Sequence, residues 1–358
     1  MKIIHVSDLH IDSKMEYLIA DKNKVMREEQ IAVFEQMIGY AKSNGVKVII
    51  IAGDMFDKGN VAKATKERIL YDVKTCPDID FLYLSGNHDD DLLFNVVELP
   101  SNLKMFGDNW TAFEYDNILI SGVKLTKSNS SFIYDTLVLP SDKVNIVTLH
   151  GQVANYKTKG DGEDISIPKL KNKNIDYLAL GHIHSYSLCD LDLRGKYSYS
   201  GCLKGRGFDE TGEKGFVLLE VVDNKIDSKF IPFAKRNFYE HNFDVSSFQS
   251  FYDVISSVTL ALQEKYENQS LIKLNLVGEH KEDFIIDTFT LEQRLRDKFF
   301  FAKVIDKTML KISEEDYQNE CSLKGEFIRK VLADEKLSKE EKNKIILIGL
   351  KALKGEEL

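Results

Sequence analysis

Five short stretches of the chain combine carboxylate, amide and imidazole side chains. They are Ser7-Asp8-Leu9-His10, Gly53-Asp54-Met55-Phe56-Asp57, Gly86-Asn87-His88-Asp89, Leu149-His150-Gly151 and Gly181-His182-Ile183-His184, and they hold five of the eight histidines. Oxygen and imidazole ligands with no thiolate beside them suit Mn²⁺, Fe²⁺ or Zn²⁺ better than Ca²⁺. The set is too large for one ion and about right for two ions bridged by a carboxylate. Two divalent cations about 3.5–4 Å apart suit in-line attack on phosphorus, because they hold the substrate oxygen, acidify the attacking water and stabilise developing charge. In Asp8-x-His10 and His182-x-His184 the spacing of two would aim both members to one side of an extended segment. The glycines before Asp54, Asn87 and His182 would let the chain turn sharply there.

Such residues converge only if the elements before them end at one place. Each stretch follows a short apolar run that reads as a buried strand: Ile3–Val6, Val46–Ile51, Phe81–Leu84, Asn145–Leu149 and Tyr177–Leu180, with Ile118–Ile120 as a further strand. In α/β sheets the carboxyl ends of strands face a common crevice. A helix is expected from Asp21 to Ser43, with Val33, Phe34, Met37, Ile38 and Ala41 on one face and Gly45 as its stop. Strands at Lys196–Ser200, Gly215–Val221 and Ser228–Ile231 complete a first domain of residues 1–235. A small α/β unit, 236–318, follows. It has strands at Phe238–Val245, Leu271–Val277 and Ala302–Leu310 and helices at Ser246–Tyr266 and Thr290–Phe299. Residues 319–358 are charged and helical. Ser338 and Glu341 form a capping box that opens a helix carrying Ile345, Ile346, Ile348, Leu350 and Leu353, a face that needs a surface to cover it. His5 lies inside the first strand and reads as a core or supporting residue, and His241 and His280 as structural or exposed.

A chain of 358 residues fits about two domains. It has no apolar run long enough for a membrane span and opens directly into a strand rather than a signal peptide. Cys76, Cys189, Cys202 and Cys321 lie far apart without a CxxC pair, which argues against a disulfide framework or zinc knuckle and for a reducing cytoplasm. The net charge of −9 argues against binding nucleic acid by bulk charge. It does not exclude a nuclease, because bound cations would neutralise several carboxylates and meet the phosphate themselves.

The ordered set D-x-H, G-D-x-x-D, G-N-H-D, H and G-H-x-H resembles the calcineurin-like metallophosphoesterase superfamily over about the first 210 residues. Within it, Gly53–Asp57, Tyr177–His184 and Ser200-Gly201 followed by Phe208–Gly215 resemble the SbcD-type DNA repair exonucleases. The resemblance implies a four-layer α/β/β/α sandwich with a second, smaller α/β capping domain. It implies one metal held by Asp8, His10 and His184, a second held by Asn87, His150 and His182, and Asp54 bridging both. His88 would contact the scissile phosphate and protonate the leaving oxygen, with Asp57 or Asp89 orienting it. Lys204 and Arg206, in a glycine-flanked loop, are candidate phosphate contacts, and Lys157 and Lys159 weaker ones. Lys58 follows Asp57 where the superfamily's protein Ser/Thr phosphatases carry arginine, which disfavours that activity. The implied function is a Mn²⁺-dependent DNA exonuclease/endonuclease. It would be a homodimer serving as the nuclease subunit of an SbcC-type, SMC-like ATPase complex in DNA repair, with the helix at Ile345–Leu353 as the ATPase contact. The alternative is a phosphodiesterase of small molecules or cyclic nucleotides.

Overall fold

The computed structural model describes residues 1–13, 20–57, 61–87, 89, 99–153, 164–311, 317–318 and 320–355. By their internal contacts these residues divide into two compact units, Met1–Asn237 and Phe238–Leu358.

The first unit is a mixed α/β structure around two six-stranded sheets. Its strands are β1 (Lys2–Val6), β2 (Val46–Ala52), β3 (Asp80–Leu84), β4 (Leu103–Met105), β5 (Thr111–Tyr115), β6 (Ile118–Gly122), β7 (Val144–His150), β8 (Gln152–Val153), β9 (Asp164–Ile165), β10 (Tyr177–Gly181), β11 (Ser187–Asp190), β12 (Lys196–Tyr199), β13 (Gly215–Val222) and β14 (Lys225–Pro232). One sheet runs β14-β13-β1-β2-β3-β4 and the other β11-β12-β10-β7-β6-β5. In each the four strands nearest the site are parallel, with antiparallel strands toward the edges.

The apolar run of β2 shows why these strands are buried on both faces. Alternate side chains of a strand point oppositely. Ile49 and Ile51 therefore enter one core, against Phe34, Met37 and Ile38 of helix α1 (Ala20–Ser43) and Ile69 and Val73 of α2 (Lys63–Lys74). Val48 and Ile50 enter the other, against Ile120, Ile146 and Ala179 of the second sheet. That second sheet turns Val147, Leu149, Leu178 and Leu180 outward. Among the described residues, its outer cover is the turn-rich stretch containing Ile133, Tyr134 and Leu137, together with the one-turn helix α3 (Ile167–Leu170). The fourth layer is thus mostly turns rather than long helices. Each fully buried Ile, Leu or Phe in these cores contributes roughly 1.5–3 kcal/mol against its exposed state.

His5 is fully buried between the sheets. Its Nδ1 lies 3.0 Å from the Tyr177 hydroxyl and its Nε2 3.2 Å from the Leu180 carbonyl. Burial drives its pKa down to about 3, so it is a neutral core residue that stitches β1 to β10.

The second unit places β15 (Phe238–Asp244), β16 (Leu271–Val277) and β18 (Phe301–Asp306) in a parallel sheet. Helices α4 (Phe251–Lys265) and α5 (Thr288–Arg296) connect those strands and pack Val254, Val258, Leu291 and Leu295 on one face. The pair β17 (Glu279–His280) and β19 (Met309–Leu310) leads toward α6 (Leu323–Leu332) and α7 (Lys339–Lys354). The capping box forms: Ser338 N–H donates to Glu341 Oε2 at 2.8 Å and Glu341 N–H to Ser338 Oγ at 3.3 Å. Helix α7 buries Ile346 and Leu350 against Leu310 and Ile328, and leaves Ile348 and Leu353 exposed. No helix among the described residues is long and apolar enough to cross a membrane.

Candidate metal centre

Register brings the strand ends together. Val6 pairs with Ile51, Ala52 with Leu84, and His150 with Gly181. Beyond β1 and β2 the two loops run side by side: Asp8 N–H donates to the Gly53 carbonyl, His10 N–H to Asp54 and Ile11 N–H to Met55, each at 3.0 Å. The sheets meet at this end, where His150 Nδ1 lies 2.9 Å from the Ala52 carbonyl.

The expectation that the D-x-H and H-x-H pairs converge by being extended is corrected. Asp8, His10, Asp54 and His182 have φ of 53°, 43°, 52° and 101°, outside the extended region. Such conformations cost of order 1–3 kcal/mol each and persist where surroundings enforce them. Here hydrogen bonds do so: Asp8 Oδ1 and Oδ2 accept the His182 N–H at 3.0 and 3.1 Å, and the Ser7 hydroxyl donates to Asp8. Of the three glycines, Gly53 has the left-handed φ, +94°, and a Cβ there would sit 2.0 Å from His150 Nδ1. Gly86 and Gly181 serve close packing instead, since a Cβ would lie 2.2 Å from Asp54 Oδ1 and 1.8 Å from the Ala52 carbonyl respectively.

Two groups of donor atoms, each within 4.8 Å of one another, result: Asp8–His10–His184 and Asp8–Asp54–His150. His10 Nε2 lies 3.3 Å from His184 Nε2, and His184 Nε2 3.7 Å from Asp8 Oδ1. Asp54 Oδ2 stands between the groups, 3.8 Å from His10 Nε2 and 3.4 Å from His150 Nε2. Asn87 Oδ1 is 3.0 Å from His150 Nε2. The His182 ring joins neither tight group and stands edge-on to His150, centroids 5.5 Å apart. Both Asp8 and Asp54 are thus placed where a bridging carboxylate belongs.

The imidazoles show what the site is built to hold. His10 Nδ1 is 2.7 Å from Asp57 Oδ1, and His184 Nδ1 2.7 Å from Glu210 Oε1. With the Ala52 carbonyl on His150, each of the three Nδ1 atoms has an acceptor within 2.9 Å, which favours the tautomer protonated at Nδ1. The Nε2 lone pairs of His10 and His184 then face each other, and the Nε2 of His150 lies with Asp8 and Asp54. Two lone pairs facing each other at 3.3 Å repel unless a cation stands before them. Carboxylate, imidazole and amide donors with outer acceptors on each ring fit divalent transition metals. Without a cation the same negative charge draws protons to the rings instead. Burial alone would lower His150, but Asp54 and Asp8 outweigh it and push its pKa up to about 9. Burial also opposes the rise at His184, where Glu210 and Asp8 prevail. Burial would raise Glu210, yet hydrogen bonds from His184 and Arg206 hold it well below the usual carboxylate range. The site is rich in negative charge and draws cations.

The remaining candidates separate. His88, Lys58, Lys157 and Lys159 lie outside the described residues. Asp57, expected to orient His88, gives its Oδ1 to His10. Asp89 accepts backbone N–H groups of Gly86, Phe56 and Met55 at 2.9, 2.9 and 3.3 Å, a tie between two loops. Lys204 is corrected from phosphate contact to buried ion-pair partner: it is 3% exposed and its Nζ lies 2.8 Å from Glu29 Oε2. Arg206 is likewise turned inward, its Nε and Nη2 donating to Glu210 Oε1 at 2.9 and 2.7 Å. Sequence reasoning gave no role to Glu210 or Glu29. Glu210 was visible only as part of Phe208–Gly215, and its 26-residue separation from His184 follows no local period.

Calcineurin-like phosphoesterases are the family whose sequence pattern matches residues 1–186, and the chain belongs to that family. Its members are metallophosphoesterases, and the donor groups above are where this chain offers to bind metal. Among curated relatives, the uncharacterised metallophosphoesterase YhaO of Bacillus subtilis is 26% identical over 252 residues, 64% of this chain and 60% of that protein. The match therefore spans less than two thirds of YhaO. The DNA double-strand break repair protein Mre11 of Sulfolobus acidocaldarius is 22% identical over 360 residues, 93% of this chain and 90% of that protein. Solved structures resembling the chain include TT1561 of Thermus thermophilus, at 12% identity and TM-score 0.42, covering 64% of this chain and 98% of that one. A dimetal phosphatase from Danio rerio follows at 10% identity and TM-score 0.43, covering 65% and 99%.

Proposed function

We propose that this metallophosphoesterase is a two-metal DNA exonuclease/endonuclease that hydrolyses phosphodiester bonds, with Mn²⁺ as its cation. The observation that carries the reading is the pair of donor groups sharing Asp8, with Asp54 between them. DNA as substrate is supported by the likeness to Mre11, which runs through both units of the chain. When bound, two divalent cations supply Lewis acidity toward the phosphodiester and a nucleophile at neutral pH.

The chain's own residues do the rest. Asp8, His10 and His184 hold one cation and Asn87, His150 and His182 the other, with Asp54 shared. The outer acceptors Asp57, Glu210 and Ala52 fix the imidazole tautomers. His88, beside Asn87, protonates the leaving oxygen. The acidic surface implied by a net charge of −9 fits a nuclease subunit whose DNA-binding surface comes largely from a partner. An SbcC-type ATPase supplies it, docking on the C-terminal helix, where Ile345, Ile348 and Leu353 are exposed. The active form is a homodimer, and its four free thiols fit the cytoplasm.

The test is digestion of linear and circular DNA by Mn²⁺-loaded protein, alone and with an SbcC-type ATPase from the same organism. Linear DNA should be degraded. His88→Ala should lower the rate by about 10²–10⁴ while Mn²⁺ binding persists. Intact DNA in every mixture, with rapid hydrolysis of small or cyclic nucleotide diesters, would transfer the assignment to a small-molecule phosphodiesterase.

A further inference from the structure

We propose that Glu210 is a positioning residue that makes the Asp8–His10–His184 pocket the tighter of the two cation sites, with Arg206 holding it there. The inference rests on the two-cation reading above.

Glu210 lies in the connection from β12 to β13 and is 4% exposed. Its Oε1 accepts from His184 Nδ1 at 2.7 Å and from Arg206 Nε and Nη2 at 2.9 and 2.7 Å. Its Oε2 accepts the Arg206 backbone N–H at 2.7 Å. A carboxylate buried this far is tolerated only when its oxygens are satisfied, and these are. Both oxygens are therefore occupied by donors, so Glu210 acts on the cation only through the His184 ring.

The guanidinium makes a second connection. Arg206 Nη1 lies 3.6 Å from Asp57 Oδ2, and Asp57 Oδ1 takes His10 Nδ1. One arginine thus sits between the two carboxylates that orient the two imidazoles of a single pocket. The other pocket is supported differently. His150 Nδ1 meets a neutral backbone carbonyl, and Asn87 offers a neutral amide. A charged acceptor behind an imidazole fixes its orientation and makes it a stronger donor than a neutral one does. The pocket with two charged acceptors therefore fills first, and Glu210 supplies half of that difference.

Calorimetric titration of Mn²⁺ alone into the full-length, metal-free protein tests this. The wild type should take up two ions in two resolved steps. In Glu210→Ala the tighter step should weaken roughly 10–100-fold, with the weaker step unchanged. Glu210→Gln keeps an acceptor without the charge and should fall between. Circular dichroism checks folding, and if Glu210→Ala does not fold, Glu210→Gln decides alone. An unchanged tighter step, or equal weakening of both steps, overturns the role. Unresolved steps in the wild type overturn the ranking of the pockets. A wild type that binds no Mn²⁺ overturns the two-cation reading itself.

Discussion

Replacing His5 with glutamine should flatten the acid limb of the first unit's stability profile. His5 is fully buried, and burial lowers its pKa from 6.5 to about 3. An unfolded chain protonates this imidazole below pH 6.5, whereas the folded chain resists until about pH 3. Between those values the unfolded state binds more protons, so stability falls as pH falls, by roughly 1.4 kcal/mol per pH unit at the steepest. Integrated from pH 7 to pH 5, this one group removes about 2 kcal/mol, and above pH 6.5 its contribution is fully present. Glutamine does not titrate and can still donate toward the Leu180 carbonyl. The assay is urea unfolding in EDTA, followed by fluorescence of Trp110, the only tryptophan, which packs in the first unit and so reports that unit alone. The wild type should exceed the variant in stability at pH 7, and the gap should shrink by about 2 kcal/mol at pH 5. Taking the difference cancels the other titrating groups. A gap that stays constant from pH 7 to pH 5 would refute a neutral, buried His5.

Three further outcomes follow from particular contacts. Gly53→Ala forces a methyl group to within 2.0 Å of His150 Nδ1 at a φ of +94°. Bound Mn²⁺, measured by elemental analysis after gel filtration, should drop from two ions per chain toward one; two retained ions would contradict the geometry. Lys204→Met removes the ion pair with Glu29, not a substrate contact. Steady-state kinetics should therefore leave KM for DNA within about threefold, while a tenfold rise would restore the phosphate role. Ser338→Ala removes the hydroxyl half of the capping box on α7, the acceptor of the Glu341 N–H, and should cost about 1 kcal/mol in the second unit's unfolding, read by denaturant titration.

Much of this molecule is legible from residue type alone. The run Val46–Ala52 is apolar on both faces because it lies between a helical layer and a second sheet, and its pattern says so. The candidate metal-binding residues are legible because imidazole, carboxylate and glycine recur where strands end. The kinks at Asp8, His10, Asp54 and His182 are not, since left-handed backbone at non-glycine residues is enforced by distant hydrogen bonds. Helix α2 carries little apolar periodicity, burying chiefly Ile69, Leu70 and Val73, and gave no clear signal. Lys204 and Arg206 look like phosphate ligands in a glycine-flanked loop. Only the fold shows that Glu29 and Glu210 already occupy them. Charged pairs made across long sequence separations leave no periodic trace.

The central claim is that side chains from five distant stretches surround two cations. Anomalous diffraction from a crystal soaked in Mn²⁺ tests it most directly. Two peaks about 3.5–4 Å apart are expected, one touched by Asp8, His10 and His184, the other by Asn87, His150 and His182, with Asp54 touching both. A single peak, or peaks remote from Asp8 and Asp54, would contradict the account.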